Sequence, residues 1–187
     1  MTYRIEPIKA ESSQIFTNYL GHIEFDHAPE WSTCYCRFYH TICDQDEWLM
    51  RTGEINKMEA TLAIKEGSMK GFLAFDGEKC IGWLNANDHS SFIRISDFLN
   101  PYVENKKIAC TICFVIHPDY RGQGVARLML KEAIDYYKGL NYDGMLAFPV
   151  ENTGEQRHYR GSINMYQEQG YELIEIKDQV HVMKLTF

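Results

Sequence analysis

Residues 117–126, HPDYRGQGVA, place two glycines between an apolar run that ends near Ile116 and an amphipathic run that begins near Gly124. A helix that starts there presents unpaired N–H groups and the positive end of its dipole at its first turn. Because Gly122 and Gly124 have no side chains, a ligand can approach the backbone closely. The stretch therefore predicts an anion site, most naturally for phosphate, with Arg121 adding charge or bracing the turn.

Two common phosphate-binding sequences do not fit this turn. A P-loop ends in Gly-Lys-Ser/Thr, and no such triplet follows here. The dinucleotide fingerprint G-x-G-x-x-G would put its third glycine at Arg127 and its ribose-binding acid near position 144, which is glycine. What remains is a different phosphate ligand, or a strand–turn–helix that needs glycine only for its geometry.

The same stretch resembles motif A of the GCN5-related N-acetyltransferases (the GNAT family), whose signature is R/Q-x-x-G-x-G/A. The matching residues are Arg121, Gly122, Gln123, Gly124, Val125 and Ala126. The upstream run FVIHPDYRGQG is also similar to the family's strand before this motif, with Ile116 in the place of a valine. The likeness is good over residues 70–187, and over residues 1–69 it rests only on the order of elements. It implies that the amides from Arg121 to Ala126 bind the pyrophosphate of acetyl-CoA.

The resemblance also implies where the thioester lies. In the family a strand backbone meets the thioester carbonyl and the oxyanion that forms from it, which N–H donors stabilise. The matching strand end here consists of Phe114, Val115 and Ile116. Only their backbone is implicated, because their apolar side chains are typical of a core strand in any case.

A second run, MYQEQGYE, is similar to the family's LYExxGF helix and places Tyr166 at the tyrosine that commonly protonates the CoA thiolate. A phenol with a pKa of about 10 is protonated at neutral pH and can donate. Tyr159 and Ser162 stand where the family often has Asn and Ala, which weakens the transfer of an Asn contact to CoA but not of Tyr166. A core tyrosine is the alternative for Tyr166.

The general base is left open by the sequence. The candidates near predicted strand ends or loops are Asp88, His89, His117, Glu151 and His158. Each is also typical of a solvated loop, and deprotonation of the amine through water needs no single base.

The segment PEWSTCYCRFYHTIC brings Cys34, Cys36, His40 and Cys43 within ten residues. Four such ligands can bind zinc, but C-x-C-x3-H-x2-C is not a common zinc spacing, so we expect no metal. Small buried thiols are the simpler interpretation. The third interpretation is that this segment lines a substrate pocket, because the corresponding segment of the resembled family shapes the acceptor site. The residues expected to contact the acceptor are Trp31, Tyr35, Tyr39, His40 and, after a later strand, Asn85. The aromatic ones would form a wall for a cation or an apolar group.

The hydrophobic periodicity predicts the elements that position these residues, in the order β, α, α, β, β, β, α, β, α, β, β. EINKMEATLAIKEG reads as a helix with Ile55, Met58, Leu62 and Ala63 on one face. The helix after Arg121 is predicted to place these residues inward: Val125, Leu128, Met129, Ala133, Ile134 and Tyr137. Antiparallel hairpins flank a βαβ unit. The fold class is therefore α/β (α+β), a GNAT-like, mixed, mostly antiparallel central sheet with helices on both faces.

The bulk composition limits the class of protein. A chain of 187 residues with a net charge of −7 is expected to form one domain over residues 1–187 and to bind no nucleic acid and no anionic membrane, and its mild acidity weakly favours cationic substrates. The absence of an apolar leader and of a long apolar run predicts a cytoplasmic protein, in which the six cysteines would be free thiols.

Together these features predict an acetyl-CoA-dependent N-acetyltransferase whose acceptor is a primary amine on a small molecule, peptide or protein. The amine would attack directly in a ternary complex. The alternative is a non-catalytic domain that binds CoA as a sensor or interaction module. A homodimer is plausible from the family resemblance alone.

Overall fold

The structure is a computed structural model that describes residues 3–23, 29–151 and 159–187. Its strands are β1 Arg4–Pro7, β2 Phe72–Asp76, β3 Lys79–Asp88, β4 Ile108–Ile116, β5 Gly144–Ala147, β6 Glu172–Lys177 and β7 Val180–Thr186. Its α-helices are α1 Ser13–His22, α2 Gln45–Met50, α3 Gly53–Lys65, α4 Ser96–Val103, α5 Val125–Gly139 and α6 Ile163–Gln167. The predicted order is confirmed, with the short helices α2 and α4 added to it. No helix in these described ranges is long and apolar enough to cross a membrane.

The strands form one seven-stranded sheet in the order β1-β2-β3-β4-β5-β7-β6. β4 and β5 pair in parallel, and the other neighbours pair antiparallel. One core cluster packs α5 and α6 against the sheet, and two others contain side chains of α1, α3 and α4. The predicted mixed, mostly antiparallel sheet with helices on both faces is confirmed.

The helix α3 buries a different face from the one that periodicity indicates, and α5 departs from its predicted face mainly at Leu128. Along α3 the predicted stripe points outward, with Met58 58% exposed and Leu62 50% exposed. The buried face contains Asn56, Ala60 and, of the predicted stripe, Ala63; their small or hydrogen-bonded side chains let α3 lie close to α1 and to residues 29–33. In α5, the residues buried as predicted are Val125, Met129, Ala133 and Tyr137. Leu128 is 42% exposed, and Leu130 is buried where Leu128 was expected.

The parallel pair β4–β5 is short, and this shapes the functional end of the sheet. β5 pairs with β4 only from Ile108 to Thr111, although β4 continues to Ile116. β4 also carries a bulge at Ile112, because Asn85 of β3 faces Cys113 while the next residue of β3 faces Thr111. A bulge bends a strand and redirects its side chains. On the side away from β3, the last residues of β4 therefore lie beside a gap rather than beside a strand.

Gly71, which precedes β2, is predicted to tolerate no side chain. A Cβ built on it would lie 2.2 Å from the Leu84 carbonyl oxygen and 2.3 Å from the Trp83 ring. Gly71→Ala should lower the free energy of unfolding by about 3 kcal/mol, because the backbone must shift to relieve the overlap. Gly139→Ala is the control: it meets nothing within 4 Å at the end of α5. That variant should be neutral or up to about 1 kcal/mol more stable. Equal urea midpoints for the two variants would contradict the predicted packing.

Candidate active site

A cavity of about 1520 Å³ opens at the C-terminal end of β4. It is lined by the strand end, by the start of α5, by residues 159–165 and by a wall from residues 31–56, which we call the acceptor wall. Nine predicted site residues line it: Trp31, Tyr35, Tyr39, Asn85, Phe114, Val115, Ile116, Arg121 and Ala126. The predicted His40, Gly122, Gln123, Gly124, Val125 and Tyr166 are not among the lining residues.

The glycine turn before α5 has the geometry of an anion cradle. Gly122 and Gly124 have φ angles of 73° and 80°, in the left-handed region that glycine adopts without strain. A Cβ built on either would meet nothing within 4 Å, so that side of the turn is open. Gly124 is the N-cap of α5 and supplies no side-chain cap, which leaves the first amides of the helix available to a ligand.

Side chains around the turn fix it to the sheet. Arg121 donates from Nε to the Ile116 carbonyl at 3.1 Å. Gln123 donates to the Asp119 carbonyl at 2.6 Å and accepts from the Tyr3 hydroxyl at 2.8 Å. The Arg121 side chain therefore braces the turn against the end of β4 while it lines the cavity.

The exposed edge of β4 is occupied by the chain itself. The Phe114 N–H, one of the amides expected to meet the thioester, donates to the Tyr159 carbonyl at 2.6 Å. The next carbonyl, that of Val115, accepts from the Tyr19 hydroxyl at 3.0 Å. Residues 159–161 therefore lie in the gap left by β5.

Tyr166 lies one layer behind the cavity. Its side chain is fully buried, and its hydroxyl donates to the Arg160 carbonyl at 2.8 Å and lies 3.2 Å from Thr111 Oγ1. A Cβ built on Gly161, which lines the cavity, would meet the Tyr166 ring at 3.1 Å. Burial raises the pKa of Tyr166 above its usual value, so the phenol is protonated at neutral pH.

A polar cluster that joins two tyrosines of the cavity lining to Arg160 was not foreseen from the sequence. The hydroxyls of Tyr39 and Tyr159 lie 2.7 Å apart, and Arg160 donates to them from Nη2 at 3.1 Å and from Nε at 3.3 Å. Trp31 packs edge-on against Tyr159, with ring centroids 5.0 Å apart. Tyr159 was noted only as a departure from a motif, and no local pattern indicated that it would pair with Tyr39.

His40 supports Asn85 from behind the cavity. Its Nδ1 lies 2.9 Å from the Ser91 carbonyl oxygen, and its Nε2 lies 3.1 Å from the Asn85 amide nitrogen. Burial lowers the pKa of His40 to about 4, so the ring is neutral at pH 7. A neutral ring that donates from Nδ1 accepts at Nε2, which orients the Asn85 amide beside the cavity.

Of the candidate bases, Glu151 is the one that lines the cavity. Asp88 pairs with Ala109 near the opposite end of β4. His89 lies next to Asp88, where its Nδ1 is 3.2 Å from the Ile108 carbonyl oxygen. His117 accepts from the Asp119 amide at 3.3 Å inside the loop. His158 lies outside the described residues.

The cysteines of the acceptor wall have other partners than a metal. Cys36 accepts from the Trp83 indole at 3.2 Å, and Cys43 accepts from Arg94 at 3.2 Å. Burial raises the pKa of Cys34 to about 12, which disfavours the thiolate that a metal would need. Within the part of the chain that the structure describes, no group of three or more His, Cys, Asp or Glu residues is placed to hold a metal ion.

The sequence matches the acetyltransferase (GNAT) family over residues 25–171, which is most of the chain, so the chain belongs to that family. The protein is accordingly an acyltransferase by class, as the turn and its flanking elements predicted. No curated protein matches it.

Solved structures of the same fold have low sequence identity. Drosophila melanogaster polyamine N-acetyltransferase, which forms N-acetylagmatine, is 10% identical with a TM-score of 0.60, and all of both chains is covered. A GNAT-family acetyltransferase from Listeria monocytogenes is 10% identical with a TM-score of 0.62, covering 99% of this chain and 95% of that one. PaiA N-acetyltransferase from Thermoplasma acidophilum, solved with coenzyme A, is 12% identical with a TM-score of 0.57 and full coverage of both chains. At these identities the likeness shows the fold alone.

His40 predicts a pH dependence of stability. Its pKa is about 4 when folded and about 6.5 in an unfolded chain, so its contribution is complete above pH 6.5 and is lost as the pH falls toward 4. Urea unfolding between pH 7.5 and 4.5 should show the wild type losing about 2–3 kcal/mol more than His40→Gln, at up to about 1.4 kcal/mol per pH unit. If the free energies of unfolding of the wild type and of His40→Gln fall in parallel as the pH is lowered, then folding does not lower the pKa of His40.

Proposed function

We propose that the protein transfers the acetyl group of acetyl-CoA to a primary amine by direct attack in a ternary complex. The observation that carries this proposal is that one cavity is lined by Arg121 and Ala126, at the two ends of the glycine turn, by the acceptor wall and by the end of β4. A donor and an acceptor bound on these two sides would face each other at Phe114. Holding two reactants in this way removes much of the entropic cost of their encounter.

The donor side would bind the pyrophosphate of acetyl-CoA through the backbone amides from Arg121 to Ala126. The open glycines, the uncapped start of α5 and the cation Arg121 all fit an anion. When bound, acetyl-CoA supplies the acetyl group as a thioester. The Phe114 N–H would then polarise the thioester carbonyl, which requires the Tyr159 carbonyl to leave that amide.

The proton of the acid step would come from Tyr166. Its phenol is protonated and already donates to a backbone carbonyl, that of Arg160, so a shift of residues 159–161 would free both Phe114 and Tyr166 together. On the acceptor side, Glu151 is the described carboxylate in the cavity that can take a proton from the incoming ammonium, directly or through water. An amine acceptor agrees with the polyamine and agmatine acetyltransferases of similar fold.

A second function, a non-catalytic CoA-binding module, is favoured by one observation. The Phe114 amide is satisfied and Tyr166 is buried, so the two groups that the chemistry needs are both engaged within the protein. A screen of acetyl-CoA consumption over polyamines, amino acids, aminoglycosides and peptide N-termini separates the two. Release of CoA with any acceptor supports the enzyme, and tight CoA binding with no release supports the module.

Substitution of either glycine of the turn is predicted to weaken the binding of CoA. Gly122→Ala or Gly124→Ala would place a methyl group on the open side of the turn, and calorimetric titration should show CoA binding weakened at least about tenfold, or about 1.4 kcal/mol. Gly67→Ala is the matched control, because Gly67 has a φ of 75° and nothing within 4 Å of its Cβ position but is not among the residues that line the cavity. If Gly67→Ala weakens CoA binding equally, backbone strain rather than the cradle is responsible.

Tyr166→Phe should lower kcat by at least about 100-fold while CoA binding is unchanged, since a general acid contributes on that scale. Tyr137→Phe is the control, since the buried Tyr137 hydroxyl likewise donates to a backbone carbonyl, that of Ala86, at 2.8 Å. Both variants should lose about 1 kcal/mol of stability. Unchanged turnover in Tyr166→Phe would remove this residue as the acid and leave it a core tyrosine.

A further inference from the structure

Two arginines of the acceptor wall, Arg37 and Arg51, share the carboxylate of Glu59 in α3. Arg51 Nη2 lies 2.5 Å from Glu59 Oε2, and Arg37 Nε lies 3.5 Å from the same oxygen. The side chains of Arg37 and Arg51 are only 13% and 17% exposed. Nearby opposite charge is what makes a poorly solvated guanidinium tolerable, and here one negative charge serves two positive ones. The group therefore carries a net positive charge.

Arg51 is the member of this group that reaches the cavity. Its Nε donates to Asn56 Oδ1 at 2.8 Å, and Asn56 in turn donates to the Thr33 carbonyl at 2.9 Å. The guanidinium is thus held in one orientation by α3 and by the chain at Thr33. A fixed guanidinium is well suited to binding a planar anion such as a carboxylate.

Two aromatic rings of this wall, those of Phe38 and Trp48, are already paired with cations of the protein. Arg94 lies over the Phe38 ring, 4.1 Å from its centroid. Arg94 and Arg51 both lie 5.9 Å from the Trp48 ring centroid. Phe38 and Trp48 line the cavity, so a cationic substrate group placed there would meet two guanidiniums as well as the ring faces. These rings suit the apolar body of an acceptor better than a second ammonium.

No other described acid neutralises this charge from within the cavity. Among the residues that the structure describes, Glu151 is the single carboxylate in the lining, and it follows β5 rather than belonging to the acceptor wall. The adjacent α2 carries Asp46 and Glu47, which are exposed, and Glu47 is engaged with the Asp44 amide at 3.0 Å. A purely structural tie between Thr33 and α3 is already made by Asn56 and would not require an excess charge.

From these contacts we propose that the acceptor carries a carboxylate as well as its amine, and that Arg51 binds this carboxylate. The acceptor class is an amino-acid-like zwitterion with an apolar or aromatic body, rather than a polyamine. This rests on the proposed N-acetyltransferase function. In the reaction a C–N bond forms between the amine and the acetyl carbon, the C–S bond of the thioester breaks, and the proton lost by the amine balances the one gained by the CoA thiolate.

The test compares acceptors that differ only in the carboxylate: arginine with agmatine, tyrosine with tyramine, and lysine with cadaverine. CoA release is followed by a thiol reagent at saturating acetyl-CoA. We expect kcat/KM to be at least tenfold higher for the amino acid of at least one pair, with the difference mainly in KM. If every pair favours the decarboxylated amine, or shows no preference, the carboxylate site is refuted while the N-acetyltransferase function stands. If no amine or amino acid is acetylated, the function itself fails and the carboxylate site with it.

Substitutions assign the preference to Arg51. Arg51→Gln should lower kcat/KM for the amino acid at least tenfold, leave its decarboxylated partner within twofold, and leave the Kd of CoA unchanged. Glu59→Gln is the matched control, because it breaks the same ion pair but keeps both arginines. It should retain the preference for the carboxylate although its melting temperature falls as in Arg51→Gln.

A structural role for Arg51 gives a different result. In that case Arg51→Gln and Glu59→Gln would lower the rates for both members of a pair alike, and the proposal would be wrong. A rise in the Kd of CoA in Arg51→Gln would equally overturn it, by assigning the guanidinium to the phosphates of the donor. Partial rescue in Arg51→Lys, which restores the charge without the planar fork, is the remaining expected result.

Discussion

The constraint on which the site depends is the separation of β4 from β5. Backbone N–H and C=O groups must find partners, and a parallel strand supplies them to β4 only as far as Thr111. Beyond that point the edge of β4 is available to something else. In this structure the Tyr159 carbonyl accepts a hydrogen bond from the Phe114 amide, and Arg121 donates one to the Ile116 carbonyl. The cavity exists because β4 and β5 separate at the centre of the sheet. The opening lies next to the N-terminus of α5, which has no side-chain cap.

The acceptor wall is held to this opening by strained and buried contacts. Tyr35 and Cys36 have φ angles of 43° and 54°, in a region that costs non-glycine residues about 1–2 kcal/mol each. Trp83 stabilises this conformation through its hydrogen bond to Cys36 Sγ. The bulge at Ile112 places Asn85 opposite Cys113, and both residues face the cavity. Strain of this kind is retained only where the surrounding packing determines the conformation.

The sequence could predict what is local and periodic. The turn, with glycine at two positions of positive φ between a core strand and an amphipathic helix, is encoded in about twenty consecutive residues, and the order of strands and helices follows from their periods. The inner face of α3 was mispredicted because a tertiary contact, the hydrogen bond of Asn56 to Thr33, outweighs the exposed apolar stripe with Met58. The contact of Tyr159 with β4 spans 45 residues and has no counterpart in any local pattern.

The net charge of the whole chain likewise does not predict the charge of a local site. A total of −7 favours cationic ligands only at a distance, and salt screens that field within about 8–10 Å. The charge that a ligand in the cavity would meet is set by the groups at its lining, where partly buried charges are screened far less. There Arg51 lines the cavity, and behind the lining it shares the single carboxylate of Glu59 with Arg37. Because α3 supplies Glu59 and the residues before it supply Arg37 and Arg51, this local charge is visible only once the segment has folded onto the helix. In the proposed function the preference for the acceptor is therefore a property of tertiary structure, whereas the proposed binding of the donor depends on one short stretch of sequence.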